Sequence, residues 1–376
     1  MRLINRENLK KIYRYINIYG IYRTISKIIG RTRSRLPLWL LLSFPKYARS
    51  GKTIGLIGCG HHAFSSIAFY LTTSTNSKIS WVGDIDKHAS SSLAFSYGSK
   101  DVHKDCSSPE KVDDVDLIYI ASNHSSHAEY ASKYLNNGSD VFIEKPIAVN
   151  FEQLELLKKV KEKSENEVFV GFNRPHSSAI RLLKNKIKNN DEPFTLSCFV
   201  VGHVLPDDHW YRDPMEGTRV ISNIAHWIDL AVHILSWREY TPDYLDIFLT
   251  YSNPESKSEN ITVNITSPNG DLINLTFSCR NEPFEGVNES INFQQDNLIA
   301  KIDDFRSVKI WQDDKYSVKK FRPKDNGHKA SVLQPFTREG IRTWDEIIHS
   351  AELILNIDEM AKTSKSYSRY YFNENK

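Results

Sequence analysis

Residues 52–63 constrain the fold of this chain more than any other stretch. The apolar residues 53–57 predict a buried strand. The turn that follows has the spacing Gly58-x-Gly60-x-x-Ala63, and residues 63–71 predict a helix. In a dinucleotide-binding turn the first glycine permits a sharp bend, the second lets the backbone approach a pyrophosphate, and a small third residue lets helix and strand pack closely. The segment therefore predicts the start of a Rossmann domain.

Two further features support a dinucleotide site. The helix N-terminus beyond His61 and His62 offers N–H groups and partial positive charge to phosphates. A second predicted strand, residues 78–83, ends at Asp84, an acidic side chain that can accept hydrogen bonds from ribose hydroxyls and would repel a 2′-phosphate. The sequence therefore predicts NAD as the cofactor in preference to NADP.

Further apolar runs, each followed by a helix-like segment, predict more parallel strands. The predicted strands are 116–121, 140–143 and 167–171, and the predicted helices are 127–135, 151–163 and one ending near 188. Strands that alternate with helices form a doubly wound parallel sheet, which binds ligands at the carboxyl ends of its strands. The residues expected at those ends are His124, His127, Lys145 and Asn173.

Beyond residue 190 the pattern changes to alternating runs rich in Val, Ile, Thr and Phe. These runs predict a second sheet that is largely antiparallel and open. A helix at 220–235 interrupts them, a long helix at 344–363 follows, and the tail from Ser364 is predicted to be frayed. The predicted fold is α/β, an N-terminal Rossmann domain followed by a C-terminal α+β domain, with segments 1–50, 51–173, 174–343 and 344–376.

The charge is distributed unevenly between the first fifty residues and the rest. Residues 1–52 hold thirteen Lys or Arg and one acid, a net charge of +12, so the remainder carries −9 of the total of +3. Apolar residues at helical spacing predict one or two amphipathic helices that break near Gly20, followed by an apolar patch at 36–44. This arm either adsorbs to an anionic membrane surface or packs on the acidic body or a neighbouring subunit.

Several classes of protein are disfavoured. The four cysteines (Cys59, Cys106, Cys198, Cys279) are scattered, which disfavours structural zinc and a disulfide framework and fits a reducing cytoplasm. No apolar run approaches the roughly 20 residues of a membrane span. A metal site built from His124, His127, His203 and His209 lacks known ligand spacing, so no metal is expected. No nucleic-acid module is recognised.

Taken together, residues 52–363 resemble the glucose–fructose oxidoreductase / inositol dehydrogenase / MocA (Gfo/Idh/MocA) family. The motifs that carry the resemblance are Gly58-x-Gly60-x-x-Ala63, Asp84, the segments 121–127 and 171–174, Glu144-Lys145-Pro146, and the segment 217–229. The resemblance implies these cofactor-binding residues: Gly58, Gly60, His61, His62, Ala63, Asp84, Ser122, Asn123, His127, Glu144 and Lys145.

The resemblance further implies hydride transfer between a nicotinamide and a carbon bearing a hydroxyl group, on a sugar, cyclitol or sugar nucleotide. Lys145 would hydrogen-bond the reacting hydroxyl and stabilise developing alkoxide charge, and His226 would remove its proton. Imidazole suits this role because it titrates near working pH. The implied substrate contacts are Asn173, Arg174, Asn223 and Asp229. His127 and His124 could instead be caps between loop and helix.

One position departs from the family pattern. Members commonly carry an aspartate one helical turn before the histidine, and here that residue is Ser222, with Asn223 beside it. Serine and asparagine can orient an imidazole by hydrogen bonding but cannot supply charge. Asp229, three residues after His226, could orient the ring or could only tie the helix to its surroundings.

The loop at 203–219 is long, aromatic and charged, and leads into the His226 helix. Its residues Trp210, Tyr211, Arg212 and Arg219 are candidate substrate contacts, because aromatic rings stack on sugars and arginine binds phosphate or carboxylate. A subunit contact is the alternative.

The residues and the resemblance together predict an NAD(P)-dependent dehydrogenase of a sugar or nucleotide-linked sugar. The expected location is the cytoplasm, and the basic arm adds the hypothesis of a peripheral position at the inner membrane face, in surface polysaccharide synthesis. Two alternatives stay open: a net non-redox conversion, such as epimerisation or elimination, with tightly held and recycled NAD, or a scaffold without activity. A broad sheet with one uncovered face predicts a homo-oligomer, dimer or tetramer.

Overall fold

The computed structural model describes residues 6–42, 51–253, 259–281 and 286–372. The strands, in chain order, are β1 Thr53–Ile57, β2 Lys78–Gly83, β3 Asp101–His103, β4 Leu117–Ile120, β5 Asp140–Ile143, β6 Val168–Val170, β7 Phe194–Val201, β8 Tyr244–Tyr251, β9 Ile261–Thr266, β10 Leu272–Ser278, β11 Asn288–Gln295, β12 Leu298–Asp303, β13 Ser307–Gln312, β14 Lys315–Lys320 and β15 Tyr367–Tyr371.

The helices, in chain order, are α1 Arg6–Tyr19, α2 Ile21–Thr32, α3 Leu38–Leu41, α4 Ala68–Ser74, α5 Lys87–Tyr97, α6 His127–Asn136, α7 Phe151–Lys163, α8 Ser178–Lys184, α9 Ala225–Leu235, α10 His328–Val332, α11 Gln334–Thr337 and α12 Trp344–Thr363. Two of them continue a π-helical turn, Ala63–Ile67 before α4 and Val220–Ile224 before α9. Such turns are frequent at functional sites.

The chain forms two compact units. Unit 1 comprises Met1–Gly171 and His328–Arg342, and unit 2 comprises Phe172–Gly327 and Thr343–Lys376. This division differs from the expected segments in two ways. The N-terminal helices group with the first sheet, and the chain returns to unit 1 at α10 and α11, where the Tyr119 hydroxyl donates to Val332 O at 2.6 Å.

Unit 1 is built on a six-stranded parallel sheet of order β3-β2-β1-β4-β5-β6. The strand order reverses between β1 and β4, which places the carboxyl ends of these strands where a doubly wound fold binds its ligand. Strand β4 is buried at every residue, as expected for a strand covered by helices on both faces. The Rossmann prediction is confirmed.

The N-terminal arm is part of unit 1. Helices α1 and α2 meet at Gly20, as predicted. Ile29, Leu38 and Leu42 join the hydrophobic core of the Rossmann sheet, together with Phe64. One face of the arm therefore packs on its own domain. Part of the predicted apolar patch at 36–44 lies outside the described residues.

Unit 2 contains a nine-stranded sheet of order β14-β13-β12-β11-β7-β10-β9-β8-β15. The pair β7–β10 is parallel and the other pairs are antiparallel, so the prediction of a largely antiparallel sheet is confirmed. Helices α9 and α12 pack against each other in this unit.

The prediction for the C-terminal tail was wrong. Residues after Ser364 form β15, which pairs antiparallel with β8 at the sheet edge. Arg369 donates to both carboxylate oxygens of Asp246 at 2.8 Å, and the Tyr367 hydroxyl donates to the same carboxylate at 2.7 Å. Ser368 and Tyr370, which alternate with Tyr367 and Arg369 along β15, are buried. Cross-strand partners more than a hundred residues away therefore order a segment that looks polar in isolation.

Candidate active site

The turn after β1 requires glycine at its first position. Gly58 has φ +88°, a left-handed backbone conformation that side chains rarely adopt, and a Cβ there would overlap the backbone at Ala121 and Ser122. The Gly58 N–H donates to Gly83 O at 2.8 Å. The turn is therefore held tightly between the ends of β2 and β4.

Gly60 has a different environment. Apart from its chain neighbours, no described heavy atom lies within 4 Å of the place where a Cβ of residue 60 would stand, and its backbone is not left-handed. Phe64 N–H donates to Gly60 O at 3.0 Å, and Ala63 is buried at the start of the helix. Open space over the second glycine, at a helix N-terminus, fits the pyrophosphate of a dinucleotide.

Asp84 supports this turn from the end of β2. One carboxylate oxygen accepts from Cys59 N at 2.6 Å and the other from Asp86 N at 2.8 Å. Each oxygen retains acceptor capacity, since a carboxylate has about four lone-pair sites. The contact with Cys59 was not predicted, because spacing alone does not show which backbone group a carboxylate reaches.

His62 joins the start of the dinucleotide helix to the end of β5. Its Nε2 lies 3.0 Å from Oε1 of Glu144. Burial favours the protonated form of Glu144, but His62, Lys145 and His127 outweigh it and leave the pKa of Glu144 below its ordinary value. A Cβ on Gly171 would come within 2.8 Å of the Glu144 carboxyl group, so a larger residue there would displace this carboxyl group.

His127 is a buried link between two strand ends. Its Nδ1 lies 2.7 Å from Pro146 O and its Nε2 lies 3.1 Å from Ser122 O. Burial lowers the pKa of His127, against the opposing effect of these two carbonyl groups. Of the two roles considered, these contacts favour the cap over direct contact with a nicotinamide. His124 is also buried, with its ring centroid 6.0 Å from that of His127.

The remaining cofactor candidates occupy the turn after β4. The hydroxyl groups of Ser122 and Ser126 lie 2.7 Å apart, and Ser126 donates to Asn123 O at 2.8 Å. Gln153 of α7 was not predicted, and its amide donates to Ser125 O at 2.7 Å. Unit 1 therefore brings the candidate residues that follow β1, β2, β4 and β5 to one edge of the sheet. Lys145, two residues after the end of β5, belongs to this set.

In unit 2, His226 lies in the first turn of α9, and its ring centroid is 5.7 Å from that of Phe172 in an edge-to-face arrangement. Ser222, at the position of the usual aspartate, is buried, and its hydroxyl donates to Oδ1 of Asn223 at 3.2 Å. Asp229 is fully buried, and Oδ1 accepts from the Ser350 hydroxyl of α12 at 2.7 Å. Asp229 thus ties α9 to α12.

The structure argues against Asn173 and Arg174 as substrate contacts. Arg174 is buried and forms a two-point ion pair with Glu289, with distances of 2.9 and 3.1 Å, and its Nη1 donates to Oδ1 of Asn173 at 3.1 Å. The Asn173 amide donates to Asn326 O at 2.5 Å. Trp227 donates to Glu289 at 2.9 Å, and its ring centroid lies 4.3 Å from the Arg174 guanidinium carbon. These contacts organise the interior of unit 2.

The two loop arginines are likewise engaged within unit 2. Arg219 is buried, donates to His203 O at 2.8 Å, and lies 3.9 Å from Glu259. Arg212 donates to Leu205 O and Pro206 O at 2.9 Å and lies 3.2 Å from Glu259. Arg212 therefore fixes the loop. Arg219 keeps two nitrogen atoms, Nε and Nη1, that are shielded from solvent and have no hydrogen-bond partner among the described residues, so it stays a candidate substrate contact.

The aromatic residues of the loop at 203–219 remain candidates. Trp210 is exposed, and its ring centroid lies 4.2 Å from that of Tyr211. Nδ1 of His209 accepts from the Tyr211 N–H at 3.1 Å, so this histidine orders the turn. Across the described part of the chain, no group of three His, Cys, Asp or Glu is placed to hold a metal ion.

A model of the oxidoreductase family with an NAD-binding Rossmann fold, GFO_IDH_MocA, matches residues 52–172. Glucose-6-phosphate 3-dehydrogenase of Bacillus subtilis (strain 168) is 26% identical over 200 residues, covering 52% of this chain and 55% of that protein. The chain therefore spans about half the length of the curated relatives it matches.

Two solved structures show the fold over most of the chain. GenD2 from gentamicin A biosynthesis, in complex with NAD, has a TM-score of 0.68 at 14% identity and covers 88% of this chain and 99% of that one. KijD10, a 3-ketoreductase from Actinomadura kijaniata in complex with NADP and TDP-benzene, has a TM-score of 0.67 at 16% identity, covering 84% and 98%. The resemblance to the Gfo/Idh/MocA oxidoreductase family that the motifs predicted is confirmed.

Proposed function

We propose that this chain is an NAD(P)-dependent oxidoreductase that acts on a secondary hydroxyl or keto group of a sugar or nucleotide-linked sugar. The observation that carries the proposal is the open space over Gly60. The residues around this glycine contact Asp84 after β2, through Cys59, and Glu144 after β5, through His62. The matching family model and the activities by which the relatives are named support the reaction type. We propose NAD as the preferred cofactor, because Asp84 would repel a 2′-phosphate.

In this proposal Gly58, Gly60 and Ala63 hold the pyrophosphate and Asp84 orients the ribose. The nicotinamide, when bound, supplies the acceptor or donor of hydride. Lys145 donates a hydrogen bond to the substrate oxygen and stabilises its negative charge. His226 accepts the hydroxyl proton during oxidation and returns it during reduction. Ser222 stands where family members commonly carry an aspartate, and a hydroxyl group cannot supply the charge of a carboxylate, which favours a slower proton transfer than in relatives with aspartate there.

The Gly60→Ala substitution tests the cofactor site directly. We expect native mass spectrometry to show one NAD per subunit of the wild-type protein. The affinity of the variant for NAD should be at least about tenfold weaker, because its methyl group would occupy the open space over residue 60 that the pyrophosphate needs. The melting temperature without nucleotide should stay unchanged, since that methyl group meets open space. The matched control Gly58→Ala should lower the melting temperature through backbone strain. Folded wild-type protein that binds neither NAD nor NADP would contradict the proposal.

The same spectra address the mechanism and the assembly. NAD already present on the purified protein would favour the recycling alternative, whereas reversible uptake would favour an ordinary dehydrogenase.

The proposed homo-oligomer rests on the exposed face of the nine-stranded sheet. There Ile299, Trp311 and Tyr316 form one directly paired row, and Phe248 and Tyr367 form another. Such rows favour burial by a second copy.

We also propose that the N-terminal arm contacts an anionic membrane surface. Its outer face exposes these apolar side chains: Leu9, Tyr13, Ile21, Tyr22, Ile25, Ile28, Leu36, Trp39 and Leu40. Basic residues of the same segment, including Lys10 and Arg31, complement anionic headgroups. No helix among the described residues is long and apolar enough to cross a bilayer. Adsorption of this kind would suit an enzyme of surface polysaccharide synthesis.

Vesicle sedimentation tests this membrane proposal with the variant Ile21→Glu/Ile25→Glu, which alters exposed positions only. We expect wild-type protein to sediment with phosphatidylglycerol vesicles and not with phosphatidylcholine vesicles. The double variant should bind at least about tenfold less, because it removes two inserted side chains and adds negative charge. Equal partitioning of the two proteins with anionic vesicles would overturn it.

A further inference from the structure

The N-terminal helix α2 lies against the helix that follows the dinucleotide turn and runs antiparallel to it. Arg23 donates to Ser66 Oγ at 2.9 Å and to Ser65 O at 3.3 Å. Further along α2, Gly30 packs on Phe64, and its carbonyl accepts a hydrogen bond from the ring of His61. Residues later in α2 therefore contact residues earlier in the other helix. The two helices are antiparallel, and the C-terminal end of α2 lies beside the dinucleotide turn.

This packing is fixed by buried contacts. The hydroxyl groups of Ser26 and Tyr97 lie 2.8 Å apart, and Tyr97 donates to Phe64 O at 2.6 Å. A Cβ on Gly30 would come within 2.8 Å of Cδ1 of Phe64, so only glycine allows this approach. The end of α2 is therefore a permanent neighbour of the dinucleotide turn within unit 1.

Several basic side chains lie near the C-terminal end of α2, beside the dinucleotide turn. Burial lowers the pKa of His61, and Arg33, Arg31 and Lys27 lower it further. Burial, with Arg23 and Arg31, lowers the pKa of Lys27 to about 7. Burial is the larger cause of both pKa shifts, and the neighbouring cationic side chains add to it, so positive groups lie close together beside the start of a helix that is itself partly positive. An anion at this place would relieve the crowding.

Arg33 is the residue best placed to meet such an anion. It caps α2 in a left-handed conformation, with φ 53°. Its guanidinium carbon lies 5.9 Å from the ring centroid of Phe64, which follows the turn. Nη1 is shielded from solvent and has no hydrogen-bond partner among the described residues. A buried charged donor without an acceptor is costly, which indicates a ligand that supplies one.

We propose that Arg33 donates to the pyrophosphate of the bound dinucleotide, which makes the N-terminal hairpin α1–α2 a functional part of the cofactor site. The proposal rests on the proposed function. The pyrophosphate is favoured over a 2′-phosphate because Asp84 lies at the same turn, where it accepts from Cys59 N. Arginine suits this contact, since its planar fork matches phosphate oxygens. Arg33 lies outside the segment that the family model matches, residues 52–172.

Calorimetric titration of full-length protein tests this assignment with NAD, NADP and ADP-ribose. We expect Arg33→Gln to weaken NAD and ADP-ribose roughly tenfold to a hundredfold, the range for a hydrogen bond to a charged group. NADP, if it binds, should weaken by the same factor, because its pyrophosphate is identical. Added salt should reduce the difference between wild type and variant.

The matched control is Arg35→Gln, which removes the same charge from an exposed position two residues away and should change affinity less than about twofold. Arg33→Lys, which keeps the charge but loses the fork, should give an intermediate loss. Without nucleotide, Arg33→Gln should melt at or slightly above the wild-type temperature, because it removes a shielded charge that has no acceptor there, and Arg33→Lys should melt near it. Equal affinities for Arg33→Gln and Arg35→Gln would overturn the assignment, as would a loss confined to NADP. Wild-type protein that binds no nucleotide would instead contradict the proposed function.

Discussion

Replacing Lys145 by Met or His226 by Asn is expected to lower kcat by roughly a hundredfold to ten-thousandfold, the range of a general acid–base contribution. His226→Asn should leave NAD affinity unchanged, because His226 lies outside unit 1. Lys145→Met removes the positive charge next to the developing alkoxide while it retains the length of the side chain. NADH formation is the measurement, with myo-inositol and glucose 6-phosphate as the first substrates to screen.

Matched controls separate the chemistry from general damage. Lys188→Met removes an exposed ammonium, and His349→Asn removes an imidazole that lies 3.2 Å from the Tyr370 hydroxyl. Both should retain most of the wild-type rate. A variant at Lys145 or His226 that keeps the control rate would exclude that residue from the proposed reaction.

A wild-type protein that binds NAD but produces no NADH would redirect attention to the recycling mechanism. In that mechanism the cofactor returns to its starting state, so product must be followed by a change in the sugar. His226→Asn should stop this conversion too, since an epimerisation or elimination still requires a proton to move. A scaffold without activity would show neither change, and its Lys145 and His226 variants would bind NAD as the wild type does.

Local sequence patterns predicted those strands and helices whose determinants lie within a single short segment. The predicted bounds of β1, β2 and β5 match the structure. Helix α7 has the bounds predicted for residues 151–163, and the Asn150 side chain caps it by accepting from Gln153 N at 2.8 Å. Such strands and caps are specified by neighbours in sequence, so periodicity and capping chemistry suffice to locate them.

Elements that depend on distant partners could not be predicted in the same way. Strand β15 is ordered by Asp246 of β8, and the packing of α2 depends on Phe64 and Tyr97. Helix α5 was missed because Ser90, Ser92 and Ser96 interrupt its apolar face, although all three are buried. An amphipathic face shows that a helix buries one side, but it does not identify the surface that covers that side.

The same limit explains why Arg174 and Arg212, which were predicted to contact substrate, have partners within the protein instead. Arg174 follows a strand end, where a ligand contact is a reasonable expectation, but its partner Glu289 comes 115 residues later. Arg212 is held by the Leu205 and Pro206 carbonyl groups of its own loop and by Glu259 of a later segment. A charged residue in a motif therefore indicates a ligand only when the protein itself does not neutralise it.

The pair Arg174–Glu289 gives the largest expected effect on stability. Its side chains are 6% and 1% exposed, and the carboxylate also accepts from Trp227 Nε1 at 2.9 Å. Arg174→Met should destabilise the protein by about 3–5 kcal/mol, because it leaves an uncompensated carboxylate in the interior. Glu289→Gln should cost a similar amount, since it leaves the guanidinium without its counter-charge. Calorimetric unfolding at neutral pH measures both.

The double variant Arg174→Met/Glu289→Gln distinguishes a structural ion pair from a substrate contact. It removes both charges and keeps an acceptor for Trp227, so we expect it to be more stable than either single variant, by about 1–3 kcal/mol. Its KM for a sugar substrate should stay near the wild-type value. A KM that rises equally in Arg174→Met and in the double variant, with little loss of stability, would return Arg174 to the substrate site. Restored stability at constant KM would instead mean that the ion pair holds the interior of unit 2, to which His226 belongs.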